Sequence, residues 1–364
     1  MIWQRADDLR GYLRDAVLPE LKYGPETPDL PPLGHKSHRN TLSTRFRKHR
    51  HLTAIHYLGP SFDEIVYEWI SARLPTKSAG FRGEDQQTGE TLTVPSARRF
   101  KVCTAVPPPA TDSTRLWTWV HHFPLRTVQS VLHFIFPKIQ DWKFVSDDSE
   151  TDNADIYNEF YFTDTRNPTS PEIRSNSVVV VCQPPWVLSD EDMWQFTELK
   201  SLPMDNVPLR AKERLWAKVW DTCVRRQSTY FVVTSYQQWV FGAFSRGFTN
   251  AFVSPPMGAQ SRDPTVIHAA IYWLASALAV EYGYVPPYVP EPVDYVMGDI
   301  PTPPLDNDDD VATIIDSLSS WTGKSEGTAP LSLVSLRLVC FRTCIFCTCR
   351  GGNTCPGIRE RCLW

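Results

Sequence analysis

Residues 177–186 read SVVVVCQPPW, and residues 229–256 read TYFVVTSYQQWVFGAFSRGFTNAFVSPP. Each opens on a run of β-branched and aromatic residues with no polar alternation, the pattern of a strand covered on both faces. Between them, Leu209, Trp216, Val219, Trp220, Cys223 and Val224 recur at helical spacing. A buried strand, a helical connection and a second buried strand make up the unit from which open α/β sheets are built. Residues 177–282 are therefore expected at the centre of the sheet.

Working outward, residues 1–17 form a charged amphipathic pattern that predicts a helix. Ser61 and Glu64 form a capping-box pattern ahead of Ile65, Val66, Trp69, Ile70 and Leu74, which predicts a helix ending at Pro75. Strands are expected at 99–106 and at 116–123, where LWTWVHHF is rich in β-formers. On a strand His121 and His122 point to opposite faces, so they do not ligate one ion together. A helix is expected at 125–136, strands at 141–145 and 155–163, and a helix capped by Ser189 with Asp190, Glu191 and Asp192 at its positive end. Short strands follow at 239–244 and 248–253. Asp263 and Pro264 are expected to start a helix that ends at Gly283, apolar nearly all round and so buried. The fold class is α/β: a mixed central sheet with flanking helices, an αβββαβ core order, extra strands and a buried C-terminal helix. The chain divides into an N-terminal helix and basic arm (1–60), an α/β core (61–283), a linker or strap (284–323) and a Cys-rich tail (324–364).

A chain of 364 residues, 42% hydrophobic and with 13 Trp, builds a sizeable core and is not a disordered polymer. A net charge of −4 carries no overall sign of a nucleic-acid binder. The N-terminus has no apolar run of the kind a signal peptide needs. The longest apolar run, 266–280, is shorter than a membrane span and includes His268. Cys103, Cys182 and Cys223 are widely spaced, as in reduced intracellular proteins. The expectation is a soluble, intracellular protein, cytoplasmic or nuclear, without membrane partners.

Two segments stand apart in composition. Residues 35–56 hold six Lys/Arg and five His with no acid. Arg45, Arg47, Lys48 and Arg50 are candidate phosphate contacts, and the opposing reading is a solvated, partly disordered arm. At the other end, 284–304 carries seven Pro and 331–364 carries six Cys. Cys344, Cys347, Cys355 and Cys362 suffice in number for a structural zinc, although their spacing matches no common zinc module. The other readings of this tail are membrane or lipid association, and a disordered or artefactual, non-coding extension.

The order helix, strand, strand, strand, helices, strand over 125–235 resembles that of the restriction-endonuclease-like, PD-(D/E)XK fold. The resemblance covers about a third of the chain. It implies a Mg²⁺ site with one acid on the second core strand and an acid-x-lysine on the third. Asp155 is the candidate first acid, and Glu159 shares its strand face. On the third strand Val179, Val181 and Gln183 share a face, so Gln183 stands at the second acid and Pro185 at the lysine. An amide offers a metal one neutral oxygen, and proline offers nothing. Lys143 and Lys200 are the candidate migrated lysines. A second resemblance rests on the 229–256 string, with VWDTCV before it, IYWLASAL after it and QPPW at 183–186. These are similar to a group of basidiomycete fungal proteins that carries no established activity.

The residues lead first to a non-catalytic, intracellular binding or scaffold domain of degenerate nuclease-like fold, with protein or nucleic acid as partner and no cofactor. The alternatives are a Mg²⁺-dependent nuclease using Asp155 and Glu159, and a nucleic-acid-binding protein acting through 35–56.

Overall fold

The computed structural model describes residues 8–44, 47, 49–75, 90–96, 106–146, 155–203 and 207–291. One compact unit spans Met1–Pro303; the second, Pro304–Trp364, lies outside the described residues. The described strands are β1 (Ala54–Tyr57), β2 (Trp142–Ser146), β3 (Asn158–Asp164), β4 (Val178–Cys182), β5 (Tyr230–Thr234), β6 (Gln238–Phe244), β7 (Asn250–Val253) and β8 (Met257–Gly258). They form a single mixed sheet in the order β1-β7-β6-β5-β4-β3-β2, with β8 beside β6. β2, β3 and β4 pair antiparallel in succession, β4 and β5 run parallel, and β5–β6–β7 is again antiparallel.

Two layers of helices cover this sheet. On one face lie α1 (Leu9–Asp15), α2 (Ser61–Arg73), α3 (Ser113–Val120), α4 (Arg126–Ile135) and α8 (Val266–Ala277), packed over Val178, Val180, Tyr230, Val232 and Phe241. On the other lie α6 (Asp190–Glu198) and α7 (Ala211–Arg226), packed over Val179, Val181, Phe231, Val233 and Val240. The valine run is thus divided residue by residue between two cores. A short α5 (Pro171–Asn176) joins β3 to β4.

The mixed α/β sheet, the αβββαβ order and the buried last helix appear as the residue pattern predicts. Several local expectations do not. LWTWVHHF is helical: α3 begins with the Asp112 side chain accepting from the Arg115 N–H at 2.9 Å, and Leu116, Trp119, Val120 and Phe123 are buried. The apolar positions 116, 119, 120 and 123 follow helical spacing, which outweighs the β preference of the residue types. Pro124 does not break the helix, because His121–Leu125 widens into a π-turn. Thr93 Oγ1 meets the carbonyls of His122 and Phe123 at 2.5 and 3.2 Å there. The Ser61 hydroxyl does not cap α2. It donates to the Leu58 carbonyl at 3.2 Å, and Pro60 holds the N-cap position. α8 starts at Val266, not at Pro264, and its regular turns end at Ala277, before Gly283. The sheet also recruits Ala54–Tyr57 as a parallel edge strand on β7, so the α/β unit begins before residue 61. Most of the strand expected at 99–106, with Cys103, lies outside the described residues.

Close packing explains one glycine. Gly242 faces Phe231 across the β5–β6 ladder, and a Cβ at 242 would sit 2.2 Å from the Phe231 ring. The Trp273 indole N–H reaches the carbonyls of both residues at 3.2 Å. Gly242→Ala is therefore expected to cost about 1–3 kcal/mol through overpacking, read as a lower urea midpoint at unchanged m-value.

The start of α8 carries a pH dependence. Thr265 caps the helix, and His268 Nδ1 accepts the Thr265 N–H at 3.3 Å. Burial drives the His268 imidazole down to about 4, with Asp263 opposing. The depressed value means that the contribution of neutral His268 is complete above about pH 6.5 and is lost as pH falls toward 4, on the order of 3 kcal/mol in all. His268→Gln keeps an acceptor at this capping position. It is expected to flatten the fall in Tm between pH 7 and pH 4.5, while changing Tm little at pH 7.

Candidate functional site

The face of β3 that looks toward α7 carries a buried charge. Tyr157, just ahead of this strand, and Glu159 and Tyr161 on it alternate onto the core shared with Val179 and Val181. Burying a carboxylate there requires compensating donors. α7 supplies them, because Thr222, Arg225 and Arg226 fall three and four residues apart on one helix face. Thr222 Oγ1 donates to Glu159 at 2.6 Å, and the Arg225 guanidinium donates at 2.7 Å. The Tyr161 hydroxyl donates to the same carboxylate. Thr222 has one proton, committed to Glu159, so the Tyr157 hydroxyl donates in turn to Thr222 at 3.2 Å. Arg226 lies 3.9 Å over the Tyr161 ring and Lys218 5.4 Å over the Tyr157 ring. Burial pushes the Cys223 thiol and the Tyr157 hydroxyl up, and the Glu159 charge adds to both. Neither is available as an anion at neutral pH.

Glu159 is 4% exposed, and its oxygens already accept three hydrogen bonds, one from a cation. A general base or a metal ligand needs an oxygen open to the reacting partner. This carboxylate is closed on all sides by the fold's own donors.

Asp155 is separated from it. β3 begins at Asn158, so Asp155 sits in an exposed turn ahead of the strand and does not share a strand face with Glu159 as expected. The chain reaches β3 only after Tyr157 has turned inward.

Gln183 is fully buried just past the end of β4. Its N–H donates to the Thr234 carbonyl at 3.0 Å, but neither side-chain atom has a protein partner. The backbone pairing that a buried amide usually finds is absent at this side chain. After it, Pro184, Pro185, Trp186, Val187 and Leu188 are all buried, and the Pro184 carbonyl accepts from the amides of Val187 and Leu188 at 2.8 Å. The strand end where an acid-x-lysine pair would open to substrate is plugged by this turn. Lys143 pairs in register with Thr163, four residues from Glu159 along β3, and Lys200 is exposed beyond α6. Asp155, Glu159 and Gln183 thus occupy an exposed turn, an ion pair and a closed interior. Among the described residues no three His, Cys, Asp or Glu side chains gather as a metal site requires.

The basic segment is also drawn inward. Leu42 and Leu52 are core residues, and the Arg214 guanidinium donates to the Asn40 carbonyl at 3.0 Å. Arg50, a candidate phosphate contact, is 6% exposed and grips Asp221 of α7 with two bonds of 2.5 and 2.6 Å. The His49 ring lies 5.9 Å from Trp220. The described part of 35–56 is therefore anchored at Ser37, Asn40, Leu42, Arg50, Leu52 and Ile55, while His35, Lys36, His38 and Arg39 stay exposed. Arg47 is half-buried, while Arg45, Lys48 and the tail cysteines Cys344, Cys347, Cys355 and Cys362 lie outside the described residues. Among the described residues no helix is long and apolar enough to cross a membrane.

The partners that close this site, Tyr161, Thr222 and Arg225, were legible only as spacing: alternation along β3 and three- and four-residue steps along α7. Compared with protein-family models, curated proteins and solved structures, the chain matches none.

Arg225→Met would strand the buried Glu159 charge. The expected loss is about 2–3 kcal/mol, below the full cost of breaking a buried pair because Arg225 is itself partly exposed. The Glu159→Gln/Arg225→Met double variant should recover roughly half of that in urea unfolding.

Proposed function

We propose that this chain is a non-catalytic α/β binding domain whose nuclease-like strand order has lost its chemistry. The supporting observation is the state of Glu159. It is the candidate acid that lies on the second core strand, and Arg225, Thr222 and Tyr161 occupy its oxygens. The plugged turn after Gln183 supports the same reading, since a phosphodiester needs an open strand end beside the acids. The use of Arg50 as an internal counterion for Asp221 takes one cation away from any phosphate-binding role of residues 35–56. What remains is a rigid two-core scaffold on which surface segments are held. Binding to another protein is the role such a scaffold fits best.

The reading is tested with purified protein, labelled DNA and RNA, and Mg²⁺ or Mn²⁺. The expected outcome is no cleavage above a metal-free control. Cleavage that disappears in Asp155→Ala, a substitution in an exposed turn that leaves the cores untouched, would overturn it.

A further inference from the structure

After α8 the chain runs back across the sheet and is fastened at two points. At the first, the Tyr284 N–H donates to Ser276 Oγ at 2.8 Å, its carbonyl accepts from the Tyr230 hydroxyl at 2.7 Å, and its ring stacks on Trp273 at 5.1 Å. At the second, the Glu291 carboxylate enters the 245–249 loop, which joins β6 to β7. Ser245 Oγ and the Gly247 N–H donate to it, as do Thr249 Oγ1 at 2.7 Å and the Thr249 N–H at 3.4 Å.

The loop has the form of a built anion cradle. Two hydroxyls and two backbone amides converge on one carboxylate, and Ser245 and Thr249 are 2% and 7% exposed. Phe248 adopts the left-handed conformation at φ 58°, uncommon for a bulky residue. A Cβ on Gly247 would stand 2.6 Å from Glu291 Oε2, so a larger residue there would displace the carboxylate. Backbone N–H groups converging in such a turn bind anions through their dipoles, here those of Gly247 and Thr249.

Between the fastenings lies Val285-Pro286-Pro287-Tyr288-Val289-Pro290. Val285 is 77% exposed and Tyr288 93%. Three prolines in six residues remove backbone donors and restrict φ, so the segment has little means of folding onto itself. Pro287 and Pro290 have the P-x-x-P spacing read by aromatic-lined grooves that accept extended proline-rich peptide. Holding both ends of such a peptide removes part of the entropy lost on binding.

We propose that the 245–249 loop is a carboxylate clamp that holds this strap taut, and that residues 285–290 so presented are the docking segment for a protein domain with a proline-reading aromatic groove. The proposal rests on the reading of the chain as a binding protein and names its class of partner.

The test uses the full chain against a panel of purified SH3, WW and EVH1 domains on a sensor surface. At least one class should bind in the micromolar range, and Pro287→Ala/Tyr288→Ala should weaken it by about tenfold or more. Glu291→Gln should weaken it severalfold and lower the backbone NMR order parameters of the non-proline residues of 285–291. Pro287 and Tyr288 are exposed and Glu291 is half-buried at the loop, so an unchanged circular dichroism spectrum for each variant confirms that the fold is kept. Absence of binding across the panel, or binding indifferent to the double variant, overturns the docking segment. Order parameters and affinity indifferent to Glu291→Gln overturn the clamp. Failure here is distinct from failure of the non-catalytic reading, which nuclease assay alone decides: a chain that cleaves nucleic acid and still binds through 285–290 keeps the strap and loses that reading.

Discussion

Burial of β4 on both faces at once is the constraint on which the molecule depends. Val178 and Val180 enter one core, and Val179 and Val181 enter the other, each with no exposure. A strand in that position must be flanked by strands on both edges and helices on both faces. β3 and β5 provide the edges. Because β5 runs parallel to β4, the connection must cross from one end of the sheet to the other. α6 and α7 make that crossing and so become the second face, while the helices from the N-terminal part and α8 are left to form the first. The same burial carries on past the strand end, so that Gln183 and the Pro-Pro-Trp turn are interior residues and not the rim of a cleft.

α7 is where the charges are settled. Asp221 points to Arg50 and draws the basic segment onto the helix, while the next residue, Thr222, begins the face that closes on Glu159. Two adjacent residues of one helix thus organise two unrelated parts of the chain. A buried ion pair is weak support for stability by itself, because desolvation offsets the attraction. Here the surrounding hydroxyls of Tyr161 and Thr222 satisfy the carboxylate further, and Arg225 keeps part of its surface in water. The arrangement fixes how β3 docks on α7, and it leaves both Glu159 oxygens engaged by Tyr161, Thr222 and Arg225.

Legibility differed between elements for identifiable reasons. Strands 178–182 and 230–234 were readable because a run of β-branched residues with no polar break has few alternatives. The helices at 190–198 and 211–226 were readable from Ser189 with its acidic first turn, and from the Trp216–Trp220–Cys223 stripe. Residues 116–123 were misread because Trp, Val and Thr favour strands locally, while the helical stripe they also form gains more by burial against Tyr236 and the sheet. Ser61 carried a capping signal that Pro60 and the Leu58 carbonyl diverted. At the site, Asp155 and Glu159 look equivalent in a strand pattern; the three-residue difference in where β3 starts places one in water and the other in a core.

By itself, then, the sequence determined the α/β class, the buried centre and the apolar character of α8, because hydrophobic runs and spacings act locally and their burial is nearly non-directional. Only the tertiary structure decided what the polar residues do. Whether Glu159 is a ligand or one half of an ion pair depends on Arg225, 66 positions away. Whether Arg50 meets phosphate or Asp221 depends on a residue 171 positions away. Glu291 acquires its role from a loop more than forty residues earlier. Hydrogen bonds and ion pairs are short-ranged and directional, so their partners exist only once the chain has brought distant segments together.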